Sequence, residues 1–172
     1  MLKVVKKIVK TNNIPRLSIE AYSTLDIIAQ TYLRRIIMCL LQLKNISSTK
    51  MIQIYDIVIL ARLYGRDIVL PIEFNNITYK RPFETFIKNV NGTIRYERCT
   101  VDALQYITEV YIINVLTCAK LISKNKKIDV ETINASVHLT LDSISNVIPH
   151  RNWPYDVPGH RHQITAYVNQ PV

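Results

Sequence analysis

The sequence predicts an all-α protein in which one helical unit occurs twice. Two long segments, from Ser18 to about Ile46 and from Thr100 to about Lys124, carry apolar residues at the three- and four-residue spacing of a helix face. A shorter amphipathic segment precedes each of them and a short helical segment follows. Only three glycines occur in 172 residues, which disfavours all-β folds with many tight turns.

The first copy of the unit begins with a basic amphipathic helix, Leu2–Thr11, that ends before the breaker Asn12-Asn13-Ile14-Pro15. Ser18 is expected to cap the first long helix, and Glu20 in its first turn opposes the helix dipole. A short helix is predicted over 54–64. The apolar stripe of the long helix comprises Leu25, Ile28, Tyr32, Ile36, Cys39, Leu40 and Leu43. Off this stripe lie Ile27, Ile37 and Leu41, so the helix should be covered on more than one side.

The second copy repeats this order. A short helix over 83–90 ends at Asn91-Gly92, Thr100 is expected to cap the second long helix with Asp102 in its first turn, and Asp129 is expected to cap a helix over 130–144. The predicted stripe comprises Val101, Leu104, Ile107, Val110, Tyr111, Cys118, Leu121 and Ile122. Apolar patterning alone would equally fit an ordinary helical bundle.

Charge points to an anionic partner. The chain has 22 basic and 13 acidic residues, a net charge of +9. Five basic residues and no acid lie in residues 1–16: Lys3, Lys6, Lys7, Lys10 and Arg16. A charge run of this kind is also typical of a simple solvated face, and an arginine after a helix breaker is often only a surface solubiliser.

Several classes of protein are disfavoured. The longest apolar run, residues 36–41, is far shorter than the roughly 18 residues of a membrane span, and lysines interrupt the start, so we expect an intracellular protein without membrane association. Scarce glycine disfavours glycine-rich phosphate loops and Rossmann fingerprints. Because no nucleophile, base and orienting group can be placed together, we expect no enzyme activity and no cofactor. Cys39, Cys99 and Cys118 lack paired spacing and are expected to be reduced core thiols.

Residues 145–172 differ from the rest. Four prolines, Pro149, Pro154, Pro158 and Pro171, together with Gly159, predict an extended segment. It could dock on its own fold or on a neighbouring molecule, or fray as a tail. His150, His160 and His162 lack acidic or cysteine companions at ligand spacing, so no metal site is predicted.

Residue identities add a family resemblance. Residues 2–68 resemble core histone four, through Val5-Lys6-Lys7-Ile8, Lys10, Arg16-Leu17-Ser18, Tyr22, Tyr32-Leu33, Lys50, Asp56-Ile57-Val58 and Gly65-Arg66. Residues 82 to about 140 resemble core histone three, through Pro82-Phe83-Glu84, Ile94-Arg95-Tyr96, Ala103-Leu104-Gln105, Glu109-Val110-Tyr111 and Lys126-Lys127-Ile128. The chain thus resembles the fused histone doublets of certain large DNA viruses.

The resemblance implies two histone folds in tandem that form an intramolecular head-to-tail handshake, a pseudo-heterodimer, followed by an extended C-terminal segment. The first fold would span residues 1–68, the linker 69–81, the second fold 82–144 and the C-terminal segment 145–172. Head-to-tail pairing would place Arg16 beside Lys126 and Lys127, and Arg95 beside Lys50. The implied DNA-binding residues are Lys3, Lys6, Lys7, Lys10, Arg16, Lys50, Arg95, Lys126 and Lys127.

The implied function is architectural. The protein would package double-stranded DNA without sequence preference, in nucleosome-like particles with a second doublet resembling histones two-B and two-A, in the virion and in the viral factory or host nucleus. Self-association would use the second fold. Where the family has a buried histidine and aspartate, this chain has polar residues such as Asn125 and Asn134. Lys124, His138 or another pair could take the place of that histidine and aspartate. The alternative function is a histone-fold transcription subunit that acts mainly through protein contacts.

Overall fold

The computed structural model describes residues 1–46, 51–63, 70–124 and 126–144. These residues form six helices and two two-residue strands, so the expected all-α class is confirmed. In chain order the elements are α1 (Leu2–Thr11), α2 (Ile19–Ile46), β1 (Met51–Ile52), α3 (Ile54–Leu63), α4 (Arg81–Val90), β2 (Arg95–Tyr96), α5 (Arg98–Ile122) and α6 (Val130–Ile144). The expected extended segment 145–172, with its histidines, lies outside the described residues.

Two helix starts follow the capping chemistry that the sequence predicts. The Ser18 hydroxyl accepts a hydrogen bond from the backbone N–H of Ala21 at 3.0 Å. The Asp129 carboxylate accepts one from the backbone N–H of Thr132 at 2.8 Å. Each side chain satisfies an N–H that has no partner within the helix, so α2 and α6 begin where their caps place them.

The predicted start of α5 is wrong. The helix begins at Arg98, after Glu97 in an extended conformation, so Asp102 is not in its first turn. Thr100 is fully buried inside the helix, and its hydroxyl donates to the Ile52 carbonyl at 3.3 Å. Thr100 therefore bonds to the first half of the chain and does not cap α5. The predicted start of α4 is also two residues late, since the helix begins at Arg81 with Pro82 in its first turn, where proline is tolerated.

The two long helices contact each other, and the rings of Tyr32 and Tyr111 stack with centroids 4.0 Å apart. Both tyrosines lie near the middle of their helices. Helix α2 also contacts α4 and α6, while α5 also contacts α1 and α3. Each long helix is therefore covered by helices from the other half of the chain, and the two halves share one core.

The most deeply buried face of α2 is rotated from the predicted stripe. Ala21, Leu25, Ala29, Leu33, Ile37 and Leu40 are fully buried. Of the predicted stripe, Ile28, Tyr32 and Ile36 pack against the edge of this core. The alanines explain the difference, because small side chains at the centre of a contact weaken the apolar pattern that a sequence displays.

Three apolar residues expected inside are outside. Ile27 is 64% exposed, and on α5 the predicted stripe residues Leu121 and Ile122 are 74% and 40% exposed. The stripe of α5 therefore ends at Ala119, the last fully buried residue of that helix. The cysteines Cys39, Cys99 and Cys118 are reduced and of intermediate burial, at the edge of the core instead of within it.

Candidate nucleic-acid interface

At one end of the molecule, a backbone pairing joins the loop before α2 to the loop before α6. The N–H of Ile128 donates to the carbonyl oxygen of Arg16 at 2.9 Å, and the N–H of Ser18 donates to that of Ile128, also at 2.9 Å. Leu17 and Ile128 form the parallel bridge, and both are buried. This bridge brings together the two loops that carry Arg16 and the pair Lys126-Lys127, as expected.

The side chains at this first end are suited to an anion. Arg16, Lys126 and Lys127 are exposed. The caps Ser18 and Asp129 start α2 and α6 here, so the positive ends of two helix dipoles lie at the same place. Hydrogen bonds from the N–H and hydroxyl of Thr132 hold the pKa of Asp129 below its usual value. The Asp129 carboxylate therefore stays charged as the N-cap of α6.

At the other end, β1 and β2 form a parallel pair in which Met51 is opposite Arg95 and Ile52 is opposite Tyr96. The N–H of Glu97 donates to the Ile52 carbonyl at 3.0 Å and extends the pairing. Arg95 is exposed. The expected neighbour Lys50 lies outside the described residues, and the chain is described from the next residue, Met51, which pairs with Arg95.

The lysines of α1 share one face. With about 100° of rotation per residue, Lys3, Lys6, Lys7 and Lys10 fall within an arc of about 100°. The opposite side is buried through Val4, Val5, Ile8 and Val9. Three of the lysines are exposed, and the ammonium of Lys7 lies 4.2 Å from the ring centroid of Tyr79. Helix α1 therefore presents a continuous row of positive charge.

The N-terminal ends of α1 and α4 line one open depression of about 480 Å³. Its lining residues are Met1, Tyr79, Arg81, Pro82 and Thr85. Neither helix start has a side-chain cap. In the first turn of α4, Pro82 has no N–H and those of Phe83 and Glu84 donate to the Lys80 carbonyl, so the N–H of Arg81 is the donor that this turn offers. Uncapped helix N-termini favour anions such as phosphate.

Sequence reasoning missed two basic residues of α4. Arg81 and Lys88 are exposed, and their seven-residue spacing places them on one face of the helix. Arg81 lines the depression beside the start of α1. The spacing was visible in the sequence, but only the depression that Met1 and Arg81 both line shows that α4 begins near the start of α1.

The long helices set the distance between the two loop pairings. Arg16 precedes α2, whereas Met51, the partner of Arg95, follows it. With 28 residues in α2 and a rise of about 1.5 Å per residue, the two pairings lie roughly 40 Å apart. That is slightly more than one turn of B-DNA, about 34–36 Å.

Neither a known protein-family model nor any curated protein matches this chain. The histone resemblance therefore stays a prediction from its residues. Within the described part of the chain, no cluster of three or more His, Cys, Asp and Glu side chains could hold a metal ion. Among the same residues, no helix has the length and apolarity to cross a bilayer.

Proposed function

We propose that this protein is a histone doublet that packages double-stranded DNA without sequence preference and has no catalytic activity. In this proposal each half is a histone fold, and the halves clasp head to tail. The observation that carries it is the pair of cross-half backbone pairings, Leu17 with Ile128 and Met51 with Arg95. Two helical units that folded independently would not be expected to form backbone pairings between their loops.

Arginine is the residue expected to enter the minor groove at each end. Its guanidinium is weakly hydrated and stays charged, and a narrow minor groove has a strongly negative potential. Nucleosomes, the reference case for this contact, present an inward-facing minor groove about every 10.2 base pairs. Arg16 and Arg95 would fill this role, and the α1 lysines with the uncapped helix starts would bind phosphate between them. None of these contacts reads a base edge, so binding would not depend on sequence.

Fusion of the two halves would fix their stoichiometry. A short linker gives one half an effective concentration of up to about millimolar at the other. The proposed partners are DNA, a second doublet resembling histones two-B and two-A, and a second copy of the chain. Self-association would use a surface of the second half. There Leu121 on α5 and Leu139 on α6 are 74% and 52% exposed, and Asn134 and His138 on α6 are also exposed. The proposed sites of action are the virion and the viral factory or host nucleus.

A salt titration of duplex binding by the full chain tests this proposal. If 6 to 10 phosphates are neutralised, the affinity should fall by on the order of 1,000-fold or more between 50 and 200 mM salt. Duplexes of unrelated sequence should give the same curve. Weak binding with a shallow salt slope would instead support a histone-fold transcription subunit that acts mainly through protein contacts. Exposed Leu63, 68% accessible on α3, is the feature that favours this second function.

A further inference from the structure

The segment between the two halves is bound along α5. Residues 70–80, here called the strap, run from Leu70 to the start of α4. The carboxylate of Glu109, only 2% exposed, accepts hydrogen bonds from the backbone N–H groups of Ile77 and Thr78 at 2.7 and 3.0 Å and from the Thr78 hydroxyl. The Gln105 amide donates to the same carboxylate at 2.9 Å and to the Thr78 carbonyl at 3.0 Å.

Contacts on both sides of this clamp extend it. Before it, the ring of Phe74 packs against Tyr106 with centroids 5.8 Å apart. After it, the ammonium of Lys80 lies 2.7 Å from the carboxylate of Asp102 and donates to the carbonyl of Arg98 at 3.2 Å. The strap is therefore held to α5 at several points, unlike a flexible tether.

One strap residue points away from α5. Tyr79 lies between the clamped residues Thr78 and Lys80, yet it is 74% exposed. Its ring carries the ammonium of Lys7 at 4.2 Å and lines the depression shared by α1 and α4. Exposure of an aromatic ring leaves apolar surface in water, but the face of this ring attracts the Lys7 ammonium.

We propose that Tyr79 is a positioning residue for Lys7, and that the strap thereby forms part of the DNA-binding surface. This inference rests on the proposed function. The ring covers one side of the ammonium and leaves the other N–H donors free for a phosphate oxygen. Because the clamp at Glu109 fixes the backbone beside Tyr79, the ring is in place before DNA arrives and less side-chain entropy is lost on binding.

The test measures duplex affinity against salt for the full chain and for Tyr79→Ala, Tyr79→Phe, Lys7→Ala and the double variant Lys7→Ala/Tyr79→Ala. An exposed cation–π contact of about 0.5–1 kcal/mol corresponds to a two- to fivefold effect. We expect Tyr79→Ala to lose about two- to fivefold in affinity and to have a shallower salt slope, by up to about 0.9. Tyr79→Phe should bind like the wild type, and Tyr79→Ala should have no further effect once Lys7 is alanine.

The failures of this inference and of the proposed function are distinguishable. If the wild-type chain does not bind duplex DNA, the proposed function fails and the inference fails with it. If the wild type binds but Tyr79→Ala has unchanged or tighter affinity, or loses the same factor in the Lys7→Ala background, only the inference is overturned. Tighter binding would mean that the ring withholds Lys7 from DNA. Thermal unfolding of each variant checks that the fold is intact.

Discussion

The carbonyl oxygen of Arg16, in the first half of the chain, accepts a hydrogen bond from the backbone N–H of Ile128, in the second half, at 2.9 Å. The backbone at Arg16 is thus fixed by the half to which it does not belong. The same holds at Arg95, which is paired with Met51. The positions of both arginines therefore depend on the association of the two halves, and loss of that association should remove both cationic ends together.

The two arginines are expected to contribute to duplex binding independently of sequence. We expect Arg16→Ala or Arg95→Ala to weaken binding about tenfold, the equivalent of roughly 1.5 kcal/mol for a hydrogen bond to a charged group. The salt slope should fall by about 0.9 for each. The measurement is a fluorescence anisotropy titration with two duplexes of unrelated sequence.

Arg35→Ala is the matched control, because it removes the same charge from an exposed position in the middle of α2. It should change the affinity much less than either loop variant. An effect of Arg35→Ala equal to that of Arg16→Ala would show that only total charge matters. A changed preference between the two duplexes would contradict minor-groove insertion.

The stacked pair Tyr32 and Tyr111 should be critical for stability. Tyr111 is 4% exposed, and its replacement by alanine leaves a cavity where the long helices contact. We expect a loss of about 3–5 kcal/mol in the free energy of unfolding, measured by urea denaturation. Because the rings touch, Tyr32→Ala and Tyr111→Ala should be non-additive. Additive losses would mean that the two rings do not stabilise each other.

A buried ion pair joins the end of α2 to the start of α3. The ammonium of Lys44 lies 2.8 Å from the carboxylate of Asp56, and that carboxylate also accepts the backbone N–H of Gln53 at 2.6 Å. Asp56→Ala removes the buried carboxylate that pairs with this buried lysine, so we expect a cost of about 3–5 kcal/mol in urea unfolding. Adding Lys44→Met should recover part of this loss.

The more exposed pair Lys80 with Asp102 provides the comparison for that prediction. Asp102→Ala should cost about 1 kcal/mol or less, since solvent screens exposed pairs. If Asp56→Ala costs no more than Asp102→Ala, the α2–α3 pair is not stabilising the fold through its buried charge.

Tyr96 should make the protein sensitive to alkaline pH. Burial raises the pKa of Tyr96 from 10.0 to about 12, and its hydroxyl finds no partner among the described residues. Since the folded-state pKa is the higher one, this contribution to stability is complete below pH 10 and is lost as the pH rises toward 12. We expect Tyr96→Phe to remove that part of the pH dependence and, at pH 7, to keep or raise stability by about 1 kcal/mol.

Thermal unfolding at pH 7, 9 and 11 measures this effect, with Tyr79→Phe as the control because that tyrosine is 74% exposed. Tyr79→Phe should leave the pH profile unchanged. A Tyr96→Phe variant that is clearly less stable at pH 7 would mean that the hydroxyl has a partner.

The sequence alone predicts those structural features that are fixed by residues close together in the chain. Apolar spacing located the helices, and the side chains of Ser18 and Asp129 marked two helix starts, because a cap bonds to a backbone group only three residues away. The start of α5 was missed because Thr100 is used by a distant partner, the Ile52 carbonyl. Nothing in the local sequence around Thr100 indicates that contact.

The position of the basic loops could be predicted in part. The resemblance to histones placed Arg16 beside Lys126 and Lys127, and the structure brings those loops together. The strap was beyond prediction, because Glu109 is an ordinary acidic residue on a helix until the backbone of Ile77 and Thr78 is seen to bind it. Tyr79 likewise had no signal until its contact with Lys7 was known.

The central claim is that both loop pairings contact one duplex. A DNA-cleaving reagent tethered to a single introduced cysteine, at Thr93 or at Lys126, tests it most directly in a chain whose three native cysteines are replaced by alanine. Both positions are exposed and lie close to Arg95 and Arg16 respectively. On one bound duplex, we expect both reagents to cut at minor grooves separated by about 10 base pairs or a multiple of that. Cleavage from one position only, or cleavage without a fixed separation, would contradict the account.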